Sequence, residues 1–210
     1  MISMPRCKMC RREGKKLFLK GERCATSKCA LNKRKYPPGA NGPKGYSRLS
    51  EYGLQLREKQ RLKRFYGISE KQCKNYFTNA KNKKGNTEIN FLRLFETRID
   101  NVVCKAGFTG SRRAARQLIS HGNVLLNDKR LDIPSYRVKI GDIIKVKNKK
   151  NIESMVKNNL ALSKNKDKDF LPVWLDVDSK NLQIKILQEP NEKDLPQAFD
   201  SKLIIAFYSR

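Results

Sequence analysis

The sequence of residues 108–131 is FTGSRRAARQLISHGNVLLNDKRL, and the spacing of its apolar residues changes from helical to extended partway along. Ser111 is a typical helix N-cap and Gly122 a typical C-terminal stop, so a helix of about ten residues is expected between them. After the glycine the apolar residues alternate, and Asn127 and Asp128 can turn the chain between two strands. The stretch therefore predicts a short helix followed by a small β-hairpin.

Three further helices are predicted before this stretch. Residues 51–66 are expected to form the first, because Ser50 can cap its opening turn. A capping box that starts at Ser69 begins the second helix, which runs to about residue 82. Apolar residues at helical spacing predict the third helix over residues 88–106.

The residues after the hairpin are expected to complete the fold. A strand is predicted at residues 143–146, and a helix at residues 152–162. Residues 171–210 hold short apolar runs separated by turns, so strands are expected there, including one in the run 203–208. Trp174 is expected to anchor the packing of this part of the chain.

Charge is distributed unevenly along the chain. The 210 residues include 47 Lys and Arg against 20 Asp and Glu, a net charge of +27, whereas residues 151–210 carry equal numbers of both signs. Self-repulsion on this scale destabilises a compact fold unless a polyanion neutralises it, so nucleic acid is the expected partner. No apolar run approaches the ~20 residues that span a bilayer, and no secretory signal is visible. We therefore expect no membrane association.

Four cysteines near the N-terminus have the spacing of a metal site. Cys7, Cys10, Cys24 and Cys29 form two close pairs joined by a short basic loop, in the pattern C-x2-C-x13-C-x4-C. Two such pairs are what a tetrahedral zinc site with four thiolates requires, and an iron–sulfur cluster is the alternative. Disulfides would need an oxidising compartment, which nothing in the sequence indicates. The metal would be structural, because the segment is too polar to fold without it.

Three arginines in the short helix are candidate phosphate contacts. Arg112, Arg113 and Arg116 are expected on one outward side, where their guanidinium groups could bind phosphates bidentately. A solvated arginine face without a ligand is the alternative. The basic, Pro- and Gly-rich residues 33–45 are expected to be extended, either as a tether or as a segment that follows a phosphate groove.

Several segments of the chain resemble one known family. They are CKMCRREG at residues 7–14, YGLQLREKQ at 52–60, RIDNVV at 98–103, ARQLISH at 115–121 and FYSR at 207–210. In order and spacing these segments resemble the bacterial-type small-subunit ribosomal protein four, and the resemblance covers nearly the whole chain.

The resemblance implies an α+β fold. Its parts would be a helical domain, an inserted alpha-L RNA-binding motif made of a helix-turn-helix and a small β-hairpin sheet, and a preceding four-cysteine metal knot. The implied boundaries are 1–45 for the metal-binding segment and basic linker and 46–95 for the first part of the helical domain. Residues 96–160 would form the RNA-binding motif, and 161–210 would close the helical domain.

The resemblance also implies a function. The protein would be a structural constituent of the small ribosomal subunit that binds 16S rRNA directly, nucleates assembly of the subunit body and contributes to translational accuracy. Its implied neighbours are other small-subunit proteins, protein five especially, and the path by which messenger RNA enters. A cytoplasmic, ribosome-bound location follows, with bacterial and organellar ribosomes both left open. Members with four cysteines at this spacing bind a metal there.

The candidate RNA-binding residues are mostly basic, because double-stranded RNA is recognised mainly through its shape, phosphates and 2′-hydroxyls. Before residue 96 they are Arg11, Arg12, Lys33, Arg34, Lys44, Arg48, Arg57, Arg61 and Arg64. In the RNA-binding motif they are Ser111, Arg112, Arg113, Arg116, Gln117, His121, Lys129, Arg130 and Arg137.

Two other classes of protein fit the sequence less well. An RNA-modifying enzyme that carries an alpha-L motif, such as a pseudouridine synthase, would need a separate catalytic domain, and the sequence shows neither a His/acid pair nor a Gly-rich phosphate loop. A DNA-binding regulator could share the helix-turn-helix, but no dimerisation heptads are evident. We therefore expect a protein that is not an enzyme and has no small-molecule substrate.

Overall fold

The computed structural model describes residues 5–46, 48–164 and 171–210. Its α-helices are α1 (Arg6–Glu13), α2 (Ala30–Lys33), α3 (Glu51–Tyr66), α4 (Glu70–Lys81), α5 (Thr87–Glu96), α6 (Ile99–Lys105), α7 (Arg112–Ser120), α8 (Lys150–Lys164) and α9 (Ser201–Tyr208). Its strands are β1 (Val124–Leu126), β2 (Lys129–Leu131), β3 (Ile143–Val146), β4 (Leu175–Asp178) and β5 (Gln183–Ile186). Short 3-10 helices span Gly21–Cys24, Gly42–Lys44 and Glu192–Asp194.

The chain divides into two compact units. Unit 1 comprises Met1–Asn82 and Gln197–Arg210, and unit 2 comprises Lys83–Pro196. The division into four functional segments, 1–45, 46–95, 96–160 and 161–210, is a different kind of division and stays a prediction. In the described part of the chain, no helix has the length and apolar character needed to cross a membrane.

Two of the helices in unit 1 begin where their caps predict. The Ser50 side chain accepts a hydrogen bond from the Gly53 N–H at 3.2 Å, and Ser69 accepts one from the Gln72 N–H at 3.2 Å. Gly67 follows α3 with a φ of 65°, a left-handed conformation that strains residues with a β-carbon. The predictions of α3 and α4 are confirmed, because the signals that define them are local.

The apolar run at residues 203–208 forms helix α9, so the predicted strand there is wrong. Asp200 caps the helix by accepting a hydrogen bond from the Leu203 N–H. The Phe207 ring lies 5.8 Å from the Tyr52 ring on α3. The ring of Tyr208, the next residue, stacks on the Phe77 ring of α4. Consecutive residues point about 100° apart on a helix but to opposite faces of a strand, so only the helix makes both contacts.

Glu70 links α3, α4 and α9 in unit 1. Its carboxylate accepts hydrogen bonds from Lys59 Nζ at 2.7 Å, Lys63 Nζ at 2.9 Å and the Tyr208 hydroxyl at 2.9 Å. Partial burial by itself would raise the pKa of this carboxyl, but the three hydrogen bonds outweigh burial and lower the pKa to about 2. Folding therefore favours the ionised form.

Acid should weaken unit 1 through Glu70. The pKa of Glu70 is about 2 in the folded protein against an ordinary 4.5, so its contribution is complete above pH 4.5 and is lost as the pH falls toward 2. We expect Glu70→Gln to lower the free energy of unfolding by about 1 kcal/mol at neutral pH, the upper end for a partly exposed ion pair. The difference from the wild type should shrink steadily as the pH is lowered.

Urea unfolding at a series of pH values measures this difference. Glu22→Gln, which removes an exposed carboxylate from the same unit, is the control. A difference between wild type and Glu70→Gln that stays constant with pH would contradict the role assigned to Glu70.

In unit 2, the single helix predicted over residues 88–106 is wrong, because the chain forms α5 and α6 with a break between them. Arg98 lies in the break with extended backbone angles (φ −68°, ψ 135°) and pairs with Arg137 as an isolated antiparallel bridge. The Ile99 N–H donates to the Tyr136 carbonyl at 2.9 Å, instead of continuing the hydrogen bonds of α5. Apolar spacing continues across the break, so periodicity alone cannot reveal it.

In the described part of unit 2, five strands form one antiparallel sheet in the order β2-β1-β3-β5-β4. The β1–β2 turn is made by Asn127 (φ 50°) and Asp128 (φ 64°), and positive φ at both residues is typical of a type I′ hairpin turn. Val124 on β1 lies opposite Leu131 on β2 and Val146 on β3. The predicted hairpin and the predicted strand at residues 143–146 are confirmed.

The neutral C-terminal segment supplies two of these strands and part of the core. On β5, Ile184 lies opposite Ile144 on β3 and Val177 on β4. Trp174 is fully buried in the same cluster as Ile144, Ile184 and Ile119 of α7. The expectation that Trp174 anchors packing is confirmed, and the cluster seats α7 on the sheet.

Candidate nucleic-acid interface

Helix α7 carries the central part of the candidate interface. It begins at the Ser111 cap, whose side chain accepts a hydrogen bond from the Ala114 N–H at 3.3 Å. Its inner face is formed by the buried residues Ala115, Leu118 and Ile119. Arg113, Gln117 and His121, all predicted to bind RNA, are exposed on the outer side.

Arg116 is held in place by a buried carboxylate of α6. Its Nε and Nη2 atoms lie 3.1 and 2.5 Å from Asp100 Oδ2. Asp100 also accepts hydrogen bonds from Arg98 Nε at 3.0 Å and Nη2 at 2.7 Å. The Asp100 side chain is 2% exposed, whereas that of Arg116 is 34% exposed. One carboxylate therefore orients a guanidinium group that still reaches the surface.

Arg112 is oriented by a second buried chain of polar groups. Its Nε donates to Asn101 Oδ1 at 2.7 Å, and Asn101 Nδ2 in turn donates to Glu96 Oε2 at 2.9 Å. Lys105 Nζ lies 2.6 Å from the same Glu96 oxygen. Glu96 and Asn101 are both fully buried, so α5, α6 and α7 are joined by hydrogen bonds beneath the surface.

The three arginines of α7 lie on one side of the helix, but only Arg113 is fully exposed, so the expectation that all three point outward is wrong for Arg112 and Arg116. Arg112 and Arg116 are one helical turn apart and both are half-buried, where they meet the polar groups of α6. Arg113 lies about 100° from Arg112 and about 60° from Arg116 around the helix axis, and it is exposed. Buried acceptors on a neighbouring helix decide this arrangement, and the pattern of α7 itself does not contain them.

The hairpin places another arginine near the end of α7. Arg130 lies against Gly122, which follows α7 with a φ of +64°. A β-carbon at Gly122 would overlap Arg130 Nε and lie 2.8 Å from its Cζ atom. The absence of a side chain therefore leaves room for the guanidinium group. Lys129, Arg130 and Arg137 are all exposed, as an RNA contact requires.

Gly122→Ala should therefore destabilise unit 2 for two reasons. The left-handed backbone conformation costs about 1–2 kcal/mol for a residue with a β-carbon, and the methyl group must also displace Arg130. Gly141→Ala is a matched control, because Gly141 has a φ of +85° but nothing within 4 Å of its would-be β-carbon. Urea unfolding should show a slightly larger loss at Gly122 than at Gly141, because the exposed Arg130 side chain can move aside at small cost. When Arg130 is also replaced by alanine, Gly122→Ala and Gly141→Ala should lower the free energy of unfolding by similar amounts. Equal losses when Arg130 is present would contradict the close contact between Gly122 and Arg130.

In unit 1, arginines predicted to bind RNA are engaged by carboxylates. Arg57 Nη1 lies 3.3 Å from Glu13 Oε1, and Arg64 Nη1 forms an ion pair with the same oxygen. The Glu13 side chain is 2% exposed. Burial raises the pKa of Glu13, although both arginines act to lower it. These contacts tie α1 to α3.

Arg61, also a candidate RNA contact, is buried. Its Nη1 lies 2.9 Å from both Glu58 oxygens, and its Nη2 donates to the Ala198 carbonyl. The side chain is 8% exposed. The structure therefore accounts for Arg61 as a residue that joins the C-terminal segment to α3, and leaves little of it for a ligand.

The basic residues around the N-terminal segment differ in how firmly they are held. Arg11 donates from Nε to the Tyr36 carbonyl at 2.9 Å and from Nη2 to the Pro37 carbonyl at 3.0 Å. Its guanidinium also lies 4.8 Å from the centre of the Tyr36 ring. The other predicted contacts in this region are exposed: Arg12, Lys33, Arg34, Lys44 and Arg48.

The four N-terminal cysteines line one pocket. Cys7 and Cys10 lie on α1, Cys24 ends a 3-10 helix, and Cys29 is the N-cap residue of α2. All four are free thiols, and all but Cys7 are buried. The Lys20 N–H donates to Cys24 Sγ at 3.4 Å.

The chemistry of this pocket fits a metal with sulfur ligands, but the structure does not confirm a metal site. Burial raises the pKa of the Cys10 thiol, and the other three sulfurs act in the same direction. No carboxylate of the described residues lines the pocket. Within the described ranges, however, no group of three or more His, Cys, Asp or Glu side chains is arranged to hold a metal ion. The zinc site thus stays a prediction.

Sequence reasoning missed the buried polar residues that orient the arginines, namely Glu96, Asp100 and Asn101. A signal for them was present, because the sequence Arg98-Ile99-Asp100-Asn101 places charged and amide groups within an apolar helical stripe. Charged residues are almost never fully buried unless they are paired. A partner for Asp100 was therefore to be expected, although the sequence does not identify it as Arg116.

Comparison with known proteins agrees with this architecture. Residues 2–96 match the family described as ribosomal protein S4/S9 N-terminal domain, and residues 97–144 match the S4 domain. Small ribosomal subunit protein uS4 of Thermus thermophilus is 48% identical over 206 residues, which cover 98% of this chain and 97% of that protein. The protein of the same name from Thermodesulfovibrio yellowstonii is 46% identical over 204 residues, covering 97% and 96%. That of Nitrosospira multiformis is 44% identical over 206 residues, covering 98% and 97%.

A small antiparallel sheet beside an arginine-bearing helix, together with the match over residues 97–144, defines a protein of the S4-domain class. The chain belongs to the small ribosomal subunit protein uS4 family, since the similarity extends over nearly its full length. The resemblance found in the sequence is confirmed. This is a family of ribosomal proteins, structural rather than catalytic, so the expectation of a protein that is not an enzyme is also confirmed.

Proposed function

We propose that the protein binds 16S rRNA directly, and that α7 and the β1–β2 hairpin form part of the interface. The observation that carries this proposal is Arg116, whose guanidinium is fixed by Asp100 at 2.5 Å and still 34% exposed. Ordering a long side chain at an interface costs about 0.5–1.5 kcal/mol, and a side chain already held in place avoids most of that cost. Arg113 on α7 and Arg130 on the hairpin are both exposed and add positive charge to the same unit.

The chemistry of this surface suits RNA backbone better than a base-reading pocket. Guanidinium groups present several donors in a planar fork that matches phosphate oxygens. An A-form helix is recognised mainly through phosphates and 2′-hydroxyls, which dispersed arginines and lysines can contact without reading a sequence. The net charge of +27 supplies long-range attraction, and the oriented arginines supply register.

The experiment is salt-titrated binding of the full chain to the folded 5′ domain of 16S rRNA, compared with an unrelated structured RNA of equal length. The test variant replaces three exposed interface bases by alanine: Arg113, Lys129 and Arg130. The control variant removes three exposed bases elsewhere in unit 2: Lys157, Lys180 and Lys185. We expect the wild type to prefer the 16S domain at about 150 mM salt.

The two variants should separate local contacts from general charge. Each lost phosphate contact lowers the slope of log affinity against log salt by about one unit, so the test variant should lose about three units and the control much less. Equal slopes for the two variants would remove α7 and the hairpin from the interface. Absence of any preference for the 16S domain would contradict the proposed function itself.

We also propose that the four N-terminal thiolates hold a structural zinc ion. The donor set supports this, because four sulfur ligands from two close pairs are typical of structural zinc sites. Zinc there would supply folding energy to a segment with few apolar residues. An iron–sulfur cluster is the second candidate for the same thiolates.

Elemental analysis and visible absorption of the purified protein distinguish the metals. We expect about one zinc per chain, lost in Cys24→Ser but retained in Cys73→Ser, which alters a buried thiol outside the pocket. Retention of zinc in Cys24→Ser would contradict the site. Iron with visible absorption would instead assign the thiolates to a cluster.

Membership of the uS4 family supports a more detailed role in the ribosome. We propose that the protein is ribosome-bound in the cytoplasm, nucleates assembly of the small-subunit body and contributes to translational accuracy. Its proposed neighbours are other small-subunit proteins, protein five especially, and the path by which messenger RNA enters. These roles rest on the family resemblance and on the proposed rRNA binding.

A further inference from the structure

An acidic residue, Asp142, lies in the part of the sheet that carries the basic hairpin. It directly precedes β3 and is largely buried, with 9% of its surface exposed. Burying a carboxylate is unfavourable unless hydrogen bonds satisfy its oxygens. Here Oδ2 accepts from the Lys139 N–H at 2.8 Å, and Oδ1 accepts from Asn127 Nδ2 at 2.9 Å. The side chain of Asp142 therefore joins the residues before β3 to the turn between β1 and β2.

The main chain of Asp142 is held independently of its side chain. Its carbonyl accepts a hydrogen bond from the Ile186 N–H at 3.0 Å, and its own N–H donates to the Lys139 carbonyl at 3.2 Å. The preceding residue, Gly141, donates its N–H to the Ile186 carbonyl at 3.0 Å. Asp142 thus occupies a fixed position beside the end of β5, from which its side chain can hold another element in place.

Asn127 is the residue through which Asp142 reaches the hairpin. The Asn127 N–H donates to the Ile143 carbonyl at 2.8 Å, and the Asn127 Oδ1 atom accepts from the Ile143 N–H at 2.9 Å. With the bond from Nδ2 to Asp142, both ends of the amide side chain are engaged. The first residue of the β1–β2 turn is therefore attached to the start of β3 by three hydrogen bonds.

The basic residues of the hairpin lie on a strand at the edge of the described sheet. Strand β2 pairs with β1 over three residues and carries the exposed Lys129 and Arg130. An isolated two-stranded hairpin is only marginally stable in water, so the position of β2 depends on how β1 and its turn are held against β3. Lys129 directly follows the turn and lies opposite Leu126 of β1. Its position is therefore sensitive to how the turn is fixed.

We propose that Asp142 is a positioning residue for RNA binding, because through Asn127 it fixes the turn that directs the two exposed cations of β2. The inference rests on the proposed rRNA binding, and it concerns a residue that does not itself touch the RNA. Its consequence is opposite to that of simple electrostatics. Removing a carboxylate from a basic protein should strengthen its attraction to a polyanion. Loss of Asp142 should instead weaken binding, because the cost of ordering the two cations rises.

A competing explanation is that Asp142 serves only the local turn at residues 139–142, through its bond to Lys139. Under that explanation a change at Asp142 alters the stability of unit 2, and any effect on RNA binding is independent of Lys129 and Arg130. Substitutions that act through the same contact fail to add in a double-mutant cycle, whereas independent ones add. The experiment therefore measures whether the effects add.

The test variant is Asp142→Asn, assayed as the full chain with the folded 5′ domain of 16S rRNA in a salt titration. Both oxygens of Asp142 face N–H donors, so an amide of the same shape can satisfy only one of them. Asp128→Asn is the matched control, because it removes the same charge from a side chain of the same turn that is 71% exposed. We expect Asp142→Asn to bind about tenfold more weakly and to lose about one to two units of salt slope. The control should bind as tightly as the wild type or more tightly.

The same substitution is then combined with Lys129→Ala/Arg130→Ala. Because Asp142 acts through these two cations, Asp142→Asn should cause no further loss of affinity or salt slope when both are absent. Urea unfolding is measured for each protein. If Asp142→Asn does not fold, Asn127→Gly replaces it, since glycine readily adopts the positive φ of the turn and lacks the amide that binds Asp142.

The outcomes are distinguishable. Binding by Asp142→Asn that is as tight as that of the wild type overturns the inference. A loss of the same size with and without Lys129 and Arg130 overturns it in favour of the local turn. If Lys129→Ala/Arg130→Ala leaves binding unchanged while the wild type still prefers the 16S domain, the hairpin is no contact and the inference falls, although direct rRNA binding stands. Absence of that preference in the wild type is a failure of the proposed function itself.

Discussion

The carboxylate of Asp100 is almost fully buried, and much of unit 2 depends on where its two arginine partners lie. Arg98 binds it from the break between α5 and α6, and Arg116 binds it from α7. Loss of one partner from a buried ion pair typically costs about 3–5 kcal/mol, because the remaining charge stays out of water. The same residue Arg98 pairs through its backbone with Arg137. This carboxylate therefore connects the helix break to α7 and sets the direction of a surface guanidinium.

Unit 1 uses a buried carboxylate in a similar way. Glu13 at the end of α1 forms ion pairs with Arg57 and Arg64 of α3. These ion pairs connect the cysteine-bearing segment to α3. Two further carboxylates bind Lys59 and Arg61 of α3, and in each of these pairs the cation is largely buried. Acidic residues are scarce in the first 150 residues, and the three carboxylates in these pairs hold the helices of unit 1 together.

This use of acids explains how a chain with a net charge of +27 can form compact units. Cations near buried carboxylates are neutralised inside the fold and hold helices together. Cations without an acidic neighbour stay at the surface, where their mutual repulsion favours binding of a polyanion. The neutral C-terminal segment adds the strands β4 and β5 and the helix α9 without adding to that repulsion. Stability and the proposed nucleic-acid binding therefore draw largely on different basic residues, and Arg116 serves both.

The sequence by itself determined the features that depend on neighbours along the chain. The caps of α3, α4 and α7, the Asn127-Asp128 turn and the paired spacing of the cysteines all involve residues a few positions apart, and their signals are visible in any short window. The family resemblance was likewise visible in short segments in a fixed order. Most of the architecture and most of the exposed candidate contacts could be predicted for this reason.

Only the tertiary structure decided the features that depend on distant partners. The break at Arg98 requires Arg137, the helical form of residues 201–208 requires the aromatic rings of α3 and α4, and the orientation of Arg116 requires Asp100. In each case the deciding partner lies far away in the sequence, so a local window does not contain it. The choice is made by hydrogen bonds or ring contacts with residues 16 or more positions away, which exist only once the chain has folded.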